Sequence, residues 1–319
     1  MSPTTSGLHH VTAIAGDPQR NADFYVETLG LRLVKRTVNH DDTGTYHLYF
    51  GDGVGTPGTN ITFFPWGETG RQGEFGAGQT AATAYRIRPE SLVYWRDRLD
   101  ERGVDVEETT RFDEPVLAFA DTDGIGLELI ASESALDADT VAWEDSPVPA
   151  AHQLRGFHSV TLAVESFEPT HEILTEVLGY GLDAEAGDRR RYRTPAGGQP
   201  LDLVETNQPR GRMGVGTVHH VAFEAPDTDA EAEWRGDFAD HDLRSSRVID
   251  RTYFQSVYCR EPGGILFELA TPDPGFTADE DVAELGSRLV LPAWLEDERE
   301  EIEAQLPPFD PPRGTEAHE

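Results

Sequence analysis

GLHHVTAI (residues 7–14) and GTVHHVAF (residues 216–223) are nearly one phrase written twice, toward opposite ends of the chain. Each sets a His-His pair at the start of an apolar, β-prone run. Read as first strands of equivalent units, they prompt a search for repeats, which decide a fold more firmly than any single element.

Four stretches share one pattern: a short β-like run, an amphipathic helical stretch, then further β-like runs, the last preceded by a glycine turn. The first spans Leu8 to Trp66, with Leu8–Ile14 as its strand, Asp17–Leu29 as its helix, Asp17 as cap and Gly30 as stop. The second spans Thr80 to Ala131, the third Gly156 to Thr206 and the fourth Val218 to Thr271. The last strands align best. Four residues on from a glycine stand Thr62, Glu128, Asp202 and Glu268. This predicts an α+β chain of four βαβββ units, two in residues 7–131 and two in 156–275. Between them, 132–155 reads as a Pro- and acid-rich linker. Residues 276–319 form an acidic, Pro/Glu-rich tail with one amphipathic helix near Leu295–Leu306.

Composition narrows the function classes. The 319 residues carry 59 acidic and 26 basic side chains, net −33, and Lys35 is the sole lysine. The acids are dispersed rather than gathered in one tract, as in a halophilic adaptation to high salt, where charge repulsion is screened. So few cations argue against nucleic acid as a partner. No apolar run approaches the roughly 18 residues of a membrane helix, and MSPTTSGLHH is no secretory signal. A cytoplasmic homo-oligomer without membrane contact is expected. Cys259 is the single cysteine, which excludes a disulfide framework and a thiolate metal cage.

In a regular strand successive side chains face opposite sides, so one histidine of each pair is expected inward. If the first and last strands of a unit lie close, His220 and Glu268 converge. A first-strand histidine from another unit, His10 or His158, completes two histidines and a carboxylate. Such a facial triad holds a divalent transition metal with open positions, and its N and O donors suit Fe(II) or Mn(II). Thr62, at the acid position of unit one, leaves the set at three ligands. Glu128 and Asp202 read as salt-bridged or solvated strand ends.

Beyond this, residues 8–66, with RGFHSVTL, VHHVAF and DRTYFQSVYCREPGGILFELA, resemble the hydroquinone-type ring-cleaving dioxygenases of the vicinal oxygen chelate superfamily, over roughly residues 7–275. The resemblance implies that the units form two curved-sheet, barrel-like halves. It also implies metal ligands at His10, His220 and Glu268, which selects His10 over His158. Tyr258, Arg251, Thr12, His9 and His219 would surround the reacting atoms. The implied substrates are a small aromatic diol and O2, and the implied reaction is extradiol-type ring opening. Alternatives on the same scaffold are a glyoxalase-type isomerase or lyase, which would need a fourth acidic ligand, and a metal-free binding or resistance protein.

Overall fold

A computed structural model describes residues 3–67 and 70–312. Unit one contains β1 (Leu8–Ala15), α1 (Pro18–Asp23), β2 (Arg32–Asn39), β3 (Asp42–Gly51) and β4 (Asn60–Pro65). A π-helical turn, Phe24–Thr28, extends α1. Unit two contains β5 (Gln79–Ile87), α2 (Leu92–Glu101), β6 (Glu107–Arg111), β7 (Glu114–Ala120) and β8 (Gly126–Ala131). Unit three contains β9 (Phe157–Val164), α3 (Phe167–Glu172), β10 (Gly181–Ala186), β11 (Arg189–Arg193) and β12 (Leu201–Glu205). Unit four contains β13 (Thr217–Glu224), α4 (Thr228–Asp240), β14 (Ile249–Asp250), β15 (Gln255–Arg260) and β16 (Leu266–Ala270).

Local chemistry explains the boundaries. The Asp17 carboxylate accepts from the Arg20 N–H at 2.8 Å, and Asp227 does the same for Ala230 at 2.9 Å. Each satisfies a donor that the first helical turn leaves free. Gly30 ends the first helix at φ +73°, a conformation open to glycine at little cost.

The strands form two curved eight-stranded sheets. One has the order β14-β15-β16-β13-β1-β4-β3-β2 and the other β10-β11-β12-β9-β5-β8-β7-β6. Unit one therefore pairs with unit four, and unit two with unit three. The division at residues 132–155 orders the units along the chain but does not separate the sheets. The physical reason is edge satisfaction: β1 and β13 join antiparallel through Val11↔Val221, as β5 and β9 join through Thr83↔Val160. Each seam closes an otherwise open first-strand edge. Within units the first and last strands run parallel, with Thr12 opposite Thr62 and Ala222 opposite Glu268.

Linker and tail are both fastened to unit one. In the linker, the Val141 N–H donates to Asp52 at 2.8 Å and the Ser146 hydroxyl to the Gly30 carbonyl at 2.8 Å. In the tail, Leu289, Leu291, Leu295, Ile302 and Leu306 join the main core. A helix, α5 (Arg299–Gln305), falls inside the expected span. Lys35 is fully buried, ion-paired with Asp279 at 2.6 Å and with Glu280. The last part of the tail, 313–319, lies outside the described residues. Among the described residues no helix is long and apolar enough to cross a membrane.

Candidate metal centre

His10 on β1, His220 on β13 and Glu268 on β16 meet on one face of the unit one–unit four sheet. His10 Nε2 lies 3.2 Å from Glu268 Oε2, His220 Nε2 lies 2.7 Å from it, and the two nitrogens are 3.2 Å apart. All three side chains are buried. Ligand atoms about 2.1 Å from one cation, at right angles to each other, stand about 3.0 Å apart. The observed triangle brackets that value. Oε2 of Glu268 is buried yet receives no aligned hydrogen bond, although both nitrogens point at it. Three converging ligand atoms, with a buried carboxylate oxygen left without a hydrogen bond, fit a bound divalent cation. Burial alone would raise the Glu268 carboxyl, but the facing His10 and His220 outweigh it and hold it well below the usual range. Burial likewise lowers His220, so its imidazole is available in the neutral form a metal requires.

His9 and His219 depart from the expected strand alternation. The β1–β13 register slips at two places: His9 is an extra residue between Leu8↔Phe223 and His10↔Ala222, and His219 between Thr12↔His220 and Ala13↔Val218. These are β-bulges, which re-aim a side chain. Instead of facing away, each first histidine turns its ring edge-on to the second. His9 Nδ1 lies 2.8 Å from His10 Nδ1, and His219 Nδ1 lies 2.7 Å from His220 Nδ1.

With a metal on Nε2 of His10 and His220, each Nδ1 would carry the proton and donate it to the preceding histidine. His9 is then protonated on Nε2, which donates to the Thr271 carbonyl at 3.2 Å, bridging units one and four. His219 is also protonated on Nε2, but among the described residues that nitrogen has no partner and its ring lines a cavity. Burial, followed by the adjacent histidine, pushes His9 and His219 down to about 3.

The cavity, of about 280 Å³, is walled by Tyr49, Phe64, Trp66 and Phe254, with His10, His220, Tyr258 and Arg251 facing in. Arg251 donates through Nε to the Tyr258 hydroxyl at 3.3 Å and pairs with Asp41 at 3.3 Å. Burial, then the Glu268 charge, raises Tyr258 far above the ordinary phenol range. Thr12 does not line the cavity and is linked to it through a chain of hydrogen bonds. Its hydroxyl meets Thr62 at 2.8 Å, Thr62 meets His47 Nε2 at 2.9 Å, and the Tyr49 hydroxyl meets His47 Nδ1 at 2.9 Å. This chain was missed in the sequence, although alternation in TYHLYF already puts His47 and Tyr49 on one face. Ser256, whose hydroxyl donates to Glu268 Oε1 at 2.5 Å, was also missed.

Among the described residues the other sheet carries no such triad. Glu128 pairs with Arg111 at 2.8 Å, and Asp202 with Arg191 at 2.8 Å and Arg189 at 3.2 Å, as expected of salt-bridged strand ends. His158 pairs with Glu114 at 3.1 Å, away from His220.

The model of the Glyoxalase/Bleomycin resistance protein/Dioxygenase superfamily matches residues 7–129 and 156–269. The chain belongs to this superfamily. Two superfamily relatives match nearly end to end. "Putative ring-cleaving dioxygenase MhqO" of Bacillus subtilis (strain 168) is 43% identical over 97% of this chain and 98% of its own. "Chlorohydroquinone/hydroquinone 1,2-dioxygenase" of Sphingobium indicum is 37% identical over 93% and 94%. A crystal structure from Bacillus subtilis superposes with a TM-score of 0.92 at 42% identity, covering 98% of this chain and all of the other. Membership of a superfamily that includes dioxygenases implies a metal, in keeping with the clustered His10, His220 and Glu268.

Proposed function

We propose that the protein is an Fe(II)-dependent, extradiol-type dioxygenase that opens the ring of a hydroquinone- or catechol-type diol with O2. The observation that carries this reading is the buried His10–His220–Glu268 triangle facing an aromatic-walled cavity. The names of near full-length relatives supply the reaction class. His10, His220 and Glu268 would hold the metal, with Mn(II) as the other cation suited to these donors. A glyoxalase-type isomerase would need an acid where Thr62 stands, and Thr62 is engaged by Thr12 and His47.

Bound there, Fe(II) would lower the pKa of a ring hydroxyl and couple the ring's electrons to O2. The remaining work falls to the chain. Tyr49, Phe64, Trp66 and Phe254 close on a flat ring and exclude water. The Tyr258 hydroxyl accepts from Arg251, which leaves its own proton directed to an oxygen of the substrate. Its raised pKa keeps that proton in place at neutral pH. Arg251 offers its remaining N–H groups to the second hydroxyl or to developing negative charge. His219, kept neutral by its lowered pKa, presents Nε2–H to the cavity as a hydrogen-bond donor to a substrate oxygen, while His9, anchored on Thr271, positions His10. Thr12 holds Thr62 away from the metal position.

Anaerobic loading with Fe(II), then an oxygen-electrode screen of 1,4- and 1,2-diols, tests the proposal. Stoichiometric O2 uptake with a ring-opened product is expected. Metal-loaded protein that isomerises a hemithioacetal and consumes no O2 would refute it.

A further inference from the structure

A second cavity, of about 250 Å³, lies behind the metal site and shares His219, His220 and Leu266 with the first. Its wall carries Arg210 and Arg260 and no carboxylate. In a chain of 59 acidic residues this is a local reversal of charge. Neither arginine forms a salt bridge among the described residues. Glu261 attracts Arg210, but its oxygens are taken by Thr170, Gly263 and Ile265.

Both arginines are pinned to the turn between β15 and β16. Arg260 donates to the Gly264 carbonyl at 2.7 Å and Arg210 to the Gly263 carbonyl at 3.1 Å. Gly264, at φ +107°, has room for the Arg210 guanidinium only because it lacks a Cβ. One anchoring bond apiece leaves the other guanidinium N–H groups without an assigned acceptor. Thr80, on the same wall, buries a hydroxyl with no partner, and such a group is costly unless something meets it. The His219 ring is shared by the walls of both cavities.

We infer that this second cavity is a carboxylate subsite for a ligand whose ring oxygens lie at His10, His220 and Glu268. The inference rests on the ring-cleavage reading. Two guanidiniums and a hydroxyl suit the planar, two-oxygen geometry of a carboxylate. The carboxylate has two sources. It is a substituent of the substrate ring, or it is made by the reaction. Inserting both atoms of O2 between a hydroxylated ring carbon and its neighbour leaves the first as a carboxylic acid and the second, if it bore hydrogen, as an aldehyde.

The test compares wild type with R260Q, R210Q and T80V. Iron-loaded enzyme is assayed on hydroquinone and on (2,5-dihydroxyphenyl)acetate. Binding of 2,5-dihydroxybenzoate is measured separately by anaerobic calorimetry, without turnover. A substrate subsite predicts that R260Q and R210Q lose about tenfold or more in kcat/KM on the acetate and in calorimetric affinity, since charge-assisted bonds are the strong ones. Hydroquinone turnover stays within about twofold. A product subsite predicts instead that inhibition by the purified ring-opened product of hydroquinone weakens to a similar degree. Equal response of charged and uncharged ligands in every variant overturns the inference. Failure of wild type to consume any diol sinks the ring-cleavage reading instead, and the calorimetric arm still reports on the subsite.

Discussion

The Ser256 hydroxyl donates to Oε1 of Glu268 at 2.5 Å and thereby divides the carboxylate, leaving Oε2 to the two histidines. A carboxylate tethered in this way offers one oxygen to a cation at a fixed angle. Glu268→Ala is expected to abolish Fe(II) binding. Ser256→Ala keeps all three ligands but loses about 10–100-fold in metal affinity, the usual effect of removing a ligand's hydrogen-bond partner. Metal content after dialysis against graded chelator measures both. An iron-replete Glu268→Ala protein would refute the triad.

The two bulged histidines separate by what their far nitrogens touch. Glutamine in either place can still accept from the neighbouring Nδ1–H, so His9→Gln and His219→Gln should both retain metal. His9→Gln keeps most turnover. His219→Gln removes the Nε2–H facing the cavity and should lose about 10²-fold or more in kcat. Equal losses in the two variants would mean that His219, like His9, only positions its neighbour.

Glu231, on α4, buries a carboxyl whose oxygens have no partner among the described residues. Burial, then the Glu268 charge, lifts it from 4.5 to about 7. With the folded value above the unfolded one, protonated Glu231 gives its full stabilisation below about pH 4.5. That contribution is lost as pH rises through about 7. Glu231→Gln should therefore match wild type near pH 4.5 and exceed it by on the order of 2 kcal/mol at pH 8. Denaturant melts across that range decide it, and a pH-independent difference would contradict it.

Lys35 is wholly buried between Asp279 and Glu280, so the tail is held by a paired charge rather than by apolar contact alone. Lys35→Ala would leave the buried Glu280 with only the exposed Arg288, 3.7 Å away, as counter-charge, at a cost of up to about 3–5 kcal/mol. The double variant with Glu280→Gln should recover part of that loss. Chemical denaturation at fixed high salt reads both. No recovery in the double variant would place the cost in packing instead.

Much of this is legible in the amino-acid sequence. The repeat of HH at 9–10 and 219–220, with glycine-spaced Glu268, located the units and brought His220 and Glu268 together with His10 or His158, because strand periodicity and turn chemistry are local; the family resemblance selected His10. The partnering of units was not local. It depends on which first-strand edge finds which, and β1 chose β13 across the chain. Alternation also misled at His9 and His219, since a bulge adds one residue without a distinctive sequence mark. Ser256 and His47 carry ordinary residue types whose meaning appears only once β15 and β3 lie beside their neighbours. Arg210 and Arg260 are exposed in the structure too, and only the turn at Gly263–Gly264 brings them onto one cavity wall.

The nesting of units two and three inside the pair of one and four sets a timetable for biosynthesis. The inner sheet needs only residues 79–205 and can close while the ribosome is still working. The outer sheet must wait, with the β1 edge that meets β13 unpaired, until Ala270 has cleared the exit tunnel. Long-range pairing of this kind is slow. A metal ion therefore has no complete seat during most of translation, and a nascent chain stalled before Glu268 carries histidines but no centre.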